Sequence, residues 1–187
     1  KAALRVLKYL YHTRGKSLIF DPSIREGQEV AVYADSSWNT DPDTRRSRQG
    51  YFGLFNACPI TWKSRMQKFV ALSSCEAEYV ALTDAIKEAL WLMHLCSELR
   101  FSMKSVVVYC DNQSAIKLAE HSMIRPRTKH IQMRYHWIRE QIKSGKVRIE
   151  YVATQCNLAD LMTKCYQPRE MELMLKQIQQ IDRLENI

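Results

Sequence analysis

The order of the predicted elements indicates an α/β protein whose mixed sheet is covered by helices on both faces. Three observations support this fold class. The run SVVVYC at 105–110 is almost continuously apolar, as in a strand from the interior of a sheet. Three β-branched and aromatic runs earlier in the chain are separated by turn-forming residues and predict a meander. From residue 74 onward, segments with helical periodicity alternate with strands.

The first part of the chain predicts one helix followed by the meander. Residues 2–14 have helical spacing, and Gly15 ends that helix. After a turn-rich piece, EVAVYAD at 29–35 has the composition of a strand. Two further strands follow at 50–57 and 59–64, with a tight connection at Cys58 and Pro59.

The second part predicts alternating helices and strands. Residues 74–99 form a helix whose opening, SSCEAE, places carboxylates near the positive end of the helix dipole. Asp111 ends the strand at 105–110. The remaining predicted elements are a helix at 112–120, a helix at 130–145 closed by Gly145, a strand at 146–153, a short helix at 156–165 and a helix after Pro168.

Length and composition exclude several classes of protein. With 187 residues, the chain fits one domain or one domain with an appendage. Its 46% hydrophobic and 26% charged residues argue against disorder, and no apolar stretch is long enough for a transmembrane helix. The N-terminus resembles no secretory signal and lacks an initiator Met, so we expect a fragment of a longer protein. The six scattered cysteines predict reduced thiols of an intracellular protein.

Positive charge is concentrated in two stretches of the chain. The net charge is +8, and residues 121–150 hold eight Lys or Arg residues against two Glu. The first twenty residues add five basic side chains and no acid. This imbalance favours a polyanionic partner, and nucleic acid more than a membrane.

Four acidic residues on separate predicted elements form the candidate site. Asp35 and Asp111 lie at strand ends, where ligands bind in α/β sheets, and Asp160 lies in a short apolar helix. At 100° per residue, Glu78 shares the apolar face of its helix with Leu82, whereas Glu76 is expected to face solvent. A single such Asp is more often a turn former or a helix cap. Four together, without a basic partner, predict a site for Mg²⁺ first and Mn²⁺ second.

Several longer motifs carry a family resemblance. In chain order they are YADSSW, SRQGY, ITWKSRMQKFVALSSCEAEYVAL, YCDNQSAIKLA, RTKHIQMRYHWIRE and YVATQCNLADLMTK. Together they resemble the ribonuclease H domain of copia-type (Pseudoviridae-like) LTR retrotransposon Pol polyproteins. AALRVLKYLYHTRG is similar to the tail of the reverse transcriptase and connection region of that family. We therefore expect a reverse transcriptase/connection tail at 1–28, a ribonuclease H domain at 29–166 and a C-terminal helical extension at 167–187.

The resemblance implies a fold, a reaction and its partners. The fold is the ribonuclease H-like α/β fold, a five-stranded mixed sheet flanked by helices. The reaction is hydrolysis of the RNA strand of RNA–DNA hybrids with 5′-phosphate products. Two Mg²⁺ ions, replaceable by Mn²⁺, would be held by four catalytic acids, with Asp35 bridging. Further implications are the reverse transcriptase domain of the same polyprotein as a partner and a location in cytoplasmic virus-like particles. The family's four acids fall on Asp35, Glu78, Asp111 and Asp160.

One departure and a set of nucleic-acid contacts accompany the resemblance. Cellular ribonucleases H carry a His-bearing loop before the last Asp, whereas YVATQCNLAD is shorter and has Gln155 near that position. His130 could substitute for that histidine, but substrate contact or a structural role at the start of its helix is favoured over catalysis. Helix capping competes with substrate contact for the polar residues near the acids, and a solvated helix face competes with phosphate binding for the basic segment. The predicted nucleic-acid contacts are Ser36, Asn112, Gln113, Arg127, Lys129, His130 and Arg134.

Three alternative functions remain open at this point. A degenerate domain of the same fold could bind the hybrid without cutting it. An integrase or transposase core would use three acids at a different spacing, which this sequence fits less well. The domain could also act as a scaffold for the reverse transcriptase. Metal-dependent cleavage of the RNA strand separates the nuclease from the first and third alternatives, and cleavage of DNA would indicate the second.

Overall fold

The computed structural model describes residues 2–18, 20, 30–120, 132–178 and 180–182. The strands are β1 (Lys16–Leu18), β2 (Val30–Ser37), β3 (Arg48–Phe55), β4 (Cys58–Met66), β5 (Val106–Cys110), β6 (Val147–Tyr151) and β7 (Gln180–Asp182). The helices are α1 (Ala2–Thr13), α2 (Ser74–Glu98), α3 (Gln113–Glu120), α4 (Gln132–Lys143), α5 (Asp160–Thr163) and α6 (Pro168–Gln177), with a 3₁₀ turn at Thr154–Cys156. None of the described helices is both long enough and apolar enough to span a bilayer.

The central sheet has five strands in the order β4-β3-β2-β5-β6. Strands β2, β5 and β6 are parallel, and β3 and β4 extend the sheet on the other side of β2 as antiparallel strands. The predicted mixed α/β sheet and its meander are therefore confirmed. A separate two-stranded sheet pairs β1 with β7, which brings the two terminal segments together. The proposed domain boundaries after residues 28 and 166 stay predictions.

The core on one face of the sheet is formed with α2. Val30, Val32 and Ala34 of β2 alternate onto this face and are fully buried. Val106, Val108 and Cys110 of β5 do the same, so the middle of the sheet is apolar on the α2 side. Leu82 and other apolar residues of α2 pack against them. This packing fixes the position of α2 along the two strands that carry acids at their ends.

The opposite face is covered by the segment before α5 and by α6. Phe52 of β3 packs there with Leu158, Leu175 and Ile178. Tyr33 of β2 lies partly buried on the same face. Helices or apolar loop residues thus cover both faces, as the continuous apolar run at 105–110 predicts.

The connection between β3 and β4 differs from the sequence prediction. The turn is formed by Asn56 and Ala57, which have φ values of 47° and 60°, and the predicted turn at Cys58 and Pro59 is wrong. Two positive φ values are typical of a two-residue hairpin turn that follows the twist of its strands. Pro59 instead lies in β4 at the edge of the sheet, where a missing backbone N–H is tolerated.

Candidate metal centre and nucleic-acid interface

Asp35 and Asp111 are brought together by two neighbouring parallel strands. Asp35 lies near the end of β2 and Asp111 directly follows β5. The register pairs Ala34 with Cys110, so the two aspartates leave the sheet at the same edge. Asp35 is 1% exposed, whereas Asp111 is half-buried. The strand-end position predicted for both residues is confirmed.

Glu78 reaches the same edge from the second turn of α2. It is 6% exposed, and its Oε1 accepts a hydrogen bond of 3.3 Å from the backbone N of Ser36. The inward direction predicted from helix periodicity is therefore confirmed. The prediction that Glu76 faces solvent is wrong, because Glu76 is 7% exposed and accepts a hydrogen bond of 2.9 Å from the backbone N of Leu72. Its carboxylate is used to close the beginning of the helix.

Asp160 is placed by the loop that precedes α5. Asn157 anchors this loop, because its Nδ2 donates to the Ala34 carbonyl at 3.0 Å and its Oδ1 accepts from Ala159 N at 3.2 Å. Gly50, the register partner of Asp35 on β3, leaves room for α5. A Cβ on Gly50 would lie 2.3 Å from Met162 Cβ, so only glycine permits this close approach.

The four predicted acids meet in one cluster, which we call the carboxylate cluster (Asp35, Glu78, Asp111 and Asp160). Oxygens of Asp35, Asp111 and Asp160 all lie within 4.8 Å of one another. Glu78, Cys110 and Asp111 form a second group with the same spacing, and Asp111 belongs to both. Cys110 is a buried thiol whose Sγ accepts a hydrogen bond from Asn112 N at 3.4 Å, and no sequence pattern predicted it to lie at this site.

The segment that follows Asp160 supplies most of the cluster's direct partners. Lys164 Nζ lies 2.7 Å from Asp160 Oδ2 and 3.8 Å from Asp35 Oδ1. The Thr163 hydroxyl donates to Asp35 Oδ2, and the Tyr166 hydroxyl donates to Asp160 Oδ2 at 3.2 Å. Sequence reasoning missed all three residues. The i,i+4 spacing of Asp160 and Lys164 on a helix was the available signal for one of them.

Burial and mutual repulsion perturb the acids strongly. Burial first, and then the charges of Asp35 and Asp111, raise the pKa of Glu78 to about 9. Burial also raises the pKa of Asp35 above its usual value, and Asp160 and Asp111 add to the effect. Burial alone lowers the pKa of Lys164, but its hydrogen bond to Asp160 and the charge of Asp35 outweigh burial and raise it. The cluster thus holds more negative charge than its partners neutralise.

The donor set fits a hard divalent cation. Glu78 Oε2 and Asp160 Oδ1 are buried and have no hydrogen-bond partner within the part of the chain that the structure describes. Buried polar atoms are nearly always satisfied, so these two carboxylate oxygens are suited to bind a cation. Carboxylate oxygens are the ligands of Mg²⁺ and Mn²⁺ rather than of soft metals. The carboxylate cluster is therefore a possible metal-binding site.

The predicted nucleic-acid contacts differ in burial and in hydrogen bonding, and some lie outside the described residues. Ser36 is 7% exposed beside Glu78, and its Oγ has no hydrogen-bond partner among the described residues. Asn112 Oδ1 accepts from Ala115 N at 3.0 Å and so caps α3, whereas Gln113 is exposed at the start of that helix. Arg134 is half-buried, with its guanidinium 5.1 Å from the ring centroid of Phe69. Three predicted contacts lie outside the described residues, namely Arg127, Lys129 and His130.

Comparison with known sequences finds relatives among retrotransposon polyproteins, although no protein-family model matches the chain. The chain is 42% identical over 171 residues to the retrovirus-related Pol polyprotein from transposon TNT 1-94 of Nicotiana tabacum. It is 35% and 36% identical to the corresponding polyproteins from transposons RE1 and RE2 of Arabidopsis thaliana. The matches cover 87–90% of this chain, which spans only 11–12% of the length of these relatives.

Comparison with solved structures identifies the fold. The N-terminal RNase H domain of rv2228c from Mycobacterium tuberculosis matches with a TM-score of 0.54 at 13% identity, over 80% of this chain and 98% of that one. RNase H1 from Halobacterium salinarum matches with a TM-score of 0.52 at 16% identity, over 72% and 93%. LC11-RNase H1, solved in complex with an RNA/DNA hybrid, gives 0.54 at 14% identity, over 72% and 93%. The chain is therefore similar, over about nine tenths of its length, to one segment of retrotransposon Pol polyproteins, and it has the ribonuclease H fold.

Proposed function

We propose that this chain is a metal-dependent endoribonuclease that hydrolyses the RNA strand of RNA–DNA hybrids during reverse transcription of a retrotransposon. The observation that carries the proposal is the carboxylate cluster, in which four buried or half-buried acids meet and two of their oxygens have no hydrogen-bond partner among the described residues. The ribonuclease H fold and the Pol relatives support it. Paired divalent cations held by carboxylates are a common means of phosphodiester hydrolysis.

The residues of the cluster have distinct roles in this proposal. Asp35, Glu78, Asp111 and Asp160 would hold two Mg²⁺ ions. When bound, the ions supply an activated water and stabilise the charge on the leaving 3′-oxygen. The Thr163 hydroxyl orients the Asp35 carboxylate, and Thr154 Oγ1 orients Asp111 through a hydrogen bond of 2.8 Å to its Oδ2. Products carry 5′-phosphate and 3′-hydroxyl ends.

Recognition of the hybrid depends on its shape and on the 2′-hydroxyls of the RNA strand. Ser36 adjoins Asp35 and Gln113 lies two residues after Asp111 in the sequence. The Oγ of Ser36, which has no partner among the described residues, is a polar group available for the cleaved strand. The basic segment with Arg127, Lys129 and His130 binds backbone phosphates in this proposal. Such binding is electrostatic, and its affinity falls steeply as salt increases.

The same proposal assigns the biological setting. The reverse transcriptase domain of the same polyprotein is the partner that precedes this segment, and reverse transcription takes place in cytoplasmic virus-like particles. The relatives are Pol polyproteins of which the chain spans about a ninth, so the neighbouring domains of those proteins are expected to act on the same hybrid.

The test is cleavage of a hybrid whose two strands carry different labels, with Mg²⁺ or Mn²⁺. The chain is compared with Asp35→Asn and with Asp43→Asn, which makes the same chemical change at an exposed position. We expect cutting of the RNA strand alone, abolished by Asp35→Asn and retained by Asp43→Asn. Binding without cutting, also after the reverse transcriptase domain is added back, would instead indicate a hybrid-binding or scaffold module. Cutting of DNA would indicate an integrase-like nuclease.

A further inference from the structure

A cation of the chain itself occupies one side of the carboxylate cluster. Lys164 Nζ lies 2.7 Å from Asp160 Oδ2 and 3.8 Å from Asp35 Oδ1. Asp35 and Asp160 are 1% and 4% exposed, so this ammonium pairs with two carboxylates that water barely reaches. No other described Lys or Arg forms an ion pair with an acid of the cluster, as far as the structure describes the chain.

The backbone directs Lys164 into the cluster. Lys164 follows the last residue of α5, and its backbone N–H donates to the Asp160 carbonyl at 2.9 Å. Its side chain folds back over one helical turn to the Asp160 carboxylate, in the i,i+4 arrangement. The side chain is 36% exposed, so its aliphatic part lies at the rim of the cluster. A flexible lysine at such a rim can move its ammonium into solvent without disturbing the core.

The oxygens that Lys164 uses are the oxygens that a divalent ion needs. Asp35, Asp111 and Asp160 form the group of ligand atoms within 4.8 Å, and Lys164 contacts two of these three residues. Within the described part of the chain, Glu78 Oε2 and Asp160 Oδ1 have no hydrogen-bond partner, so the lysine satisfies the cluster only in part. Two cations on the same carboxylate oxygens repel each other strongly where water is excluded.

We propose that Lys164 is a tethered counter-ion, which holds the Asp35–Asp160 side of the carboxylate cluster in the metal-free chain and leaves it when a divalent cation binds. This inference rests on the proposed function, because it takes the cluster to be a metal site. The lysine stabilises the buried acids without metal, and it competes with the metal for their oxygens. The measured metal affinity is then lowered by the fraction of molecules in which Lys164 occupies the site.

The test measures metal binding to the chain without any substrate. Isothermal titration calorimetry with Mn²⁺ alone is carried out on wild type, Lys164→Met and the control Lys104→Met. Lys104 is exposed in the loop before β5, at the opposite edge of the sheet, and its substitution removes the same charge. We expect Lys164→Met to bind Mn²⁺ at least about tenfold more tightly than wild type, the effect of losing one competing contact. Lys104→Met should bind like wild type.

Thermal unfolding gives a second readout that an ordinary surface ion pair does not produce. In EDTA, Lys164→Met should unfold at a lower temperature than wild type, because Asp35 and Asp160 lose their counter-ion. Mn²⁺ should then raise the unfolding temperature of Lys164→Met more than that of wild type. A purely structural lysine would lower stability equally with and without Mn²⁺ and leave the Mn²⁺ affinity unchanged.

Each outcome decides between the inference and the function on which it rests. Equal or weaker Mn²⁺ binding by Lys164→Met, with normal binding by wild type, overturns the inference and leaves the metal site intact. Binding by Lys164→Met but not by wild type supports the inference. Binding by neither overturns both. If Lys164→Met does not fold, NMR of the lysine side chains in wild type decides. The signal that Lys164→Arg lacks should shift as Mg²⁺ is added, and an unmoved signal refutes the exchange.

Discussion

Substitution of Glu78 by Gln should stabilise the metal-free chain, and increasingly so as pH rises. Burial and the neighbouring acids raise the pKa of Glu78 from 4.5 to about 9. Between these values the folded chain retains a proton that the unfolded chain has released. Stability falls with rising pH wherever the folded state binds more protons, so wild type should lose stability across this range. A glutamine has no proton to retain and escapes the effect.

The magnitude follows from the size of the pKa shift. Each pH unit between the two pKa values corresponds to about 1.4 kcal/mol of differential stability. From about pH 5 to about pH 7.5, Glu78 should therefore lower the free energy of unfolding of wild type by about 3 kcal/mol. Domains of this kind have about 5–15 kcal/mol of total stability, so the change is readily measured.

Urea unfolding in EDTA at about pH 5 and about pH 7.5 measures the effect, with Glu98→Gln as the control. Glu98 is an exposed carboxylate at the end of the same helix, so its substitution should leave the pH dependence of wild type unchanged. The difference in free energy of unfolding between Glu78→Gln and wild type should be about 3 kcal/mol larger at the higher pH than at the lower pH. If Glu78→Gln and wild type lose stability in parallel, the reasoning about this carboxyl group is refuted.

Three structural substitutions should each destabilise the fold, as measured by urea or thermal unfolding. Gly50→Ala forces α5 away from β3, so it should lower the free energy of unfolding by about 2 kcal/mol and weaken Mn²⁺ binding. Unchanged stability would contradict the close approach of α5 to β3. Asn157→Ala removes the hydrogen bond from Asn157 Nδ2 to the buried Ala34 carbonyl and should lower the free energy of unfolding by about 2 kcal/mol. A decrease of less than about 0.5 kcal/mol would show that Asn157 does not anchor the loop before α5. Ser73→Ala removes the cap of α2 and should cost about 1 kcal/mol, whereas Ser74→Ala, inside the first turn, should cost less.

The sheet and the inward acid of α2 were predictable because local patterns determine them. The apolar run at 105–110 has one stable environment, the interior of a covered sheet, and it forms β5 there. Periodicity correctly directed Glu78 inward, because Glu78 lies on the face of α2 that continues through the buried Leu82 and Ile86, although the helix is buried on all sides between residues 76 and 83. The positions of Asp35 and Asp111 followed from their places at strand ends, where parallel strands present side chains to a common edge.

The features that were predicted wrongly or not at all depend on end effects of helices, on a turn without Gly and on contacts between distant parts of the chain. Glu76 lies in the first turn of α2, where unpaired backbone N–H groups attract a carboxylate more strongly than solvent does, so capping overrides periodicity. The Asn56–Ala57 turn lacks the Gly that is typical of positive φ values. The nearby Pro59 is a common turn residue, and the turn was therefore predicted there. Pairing of β1 with β7 joins segments at opposite ends of the chain, and no local signal encodes such a contact.

The partners of the carboxylate cluster show why a site of this kind is hard to derive in full from sequence. Seven consecutive residues contain four side chains of the site, namely Asp160, Thr163, Lys164 and Tyr166. Two of them, Thr163 and Lys164, contact Asp35, which lies more than a hundred residues earlier in the sequence. One short segment thus supplies both an acid of the cluster and the groups that make the cluster tolerable without metal. For Lys164 these two tasks oppose each other, because its ammonium contacts carboxylates of Asp35 and Asp160 that a divalent cation needs. Substitution of Lys164 should therefore change metal-free stability and metal affinity in opposite directions, whereas substitutions in the apolar centre of the sheet should lower both together.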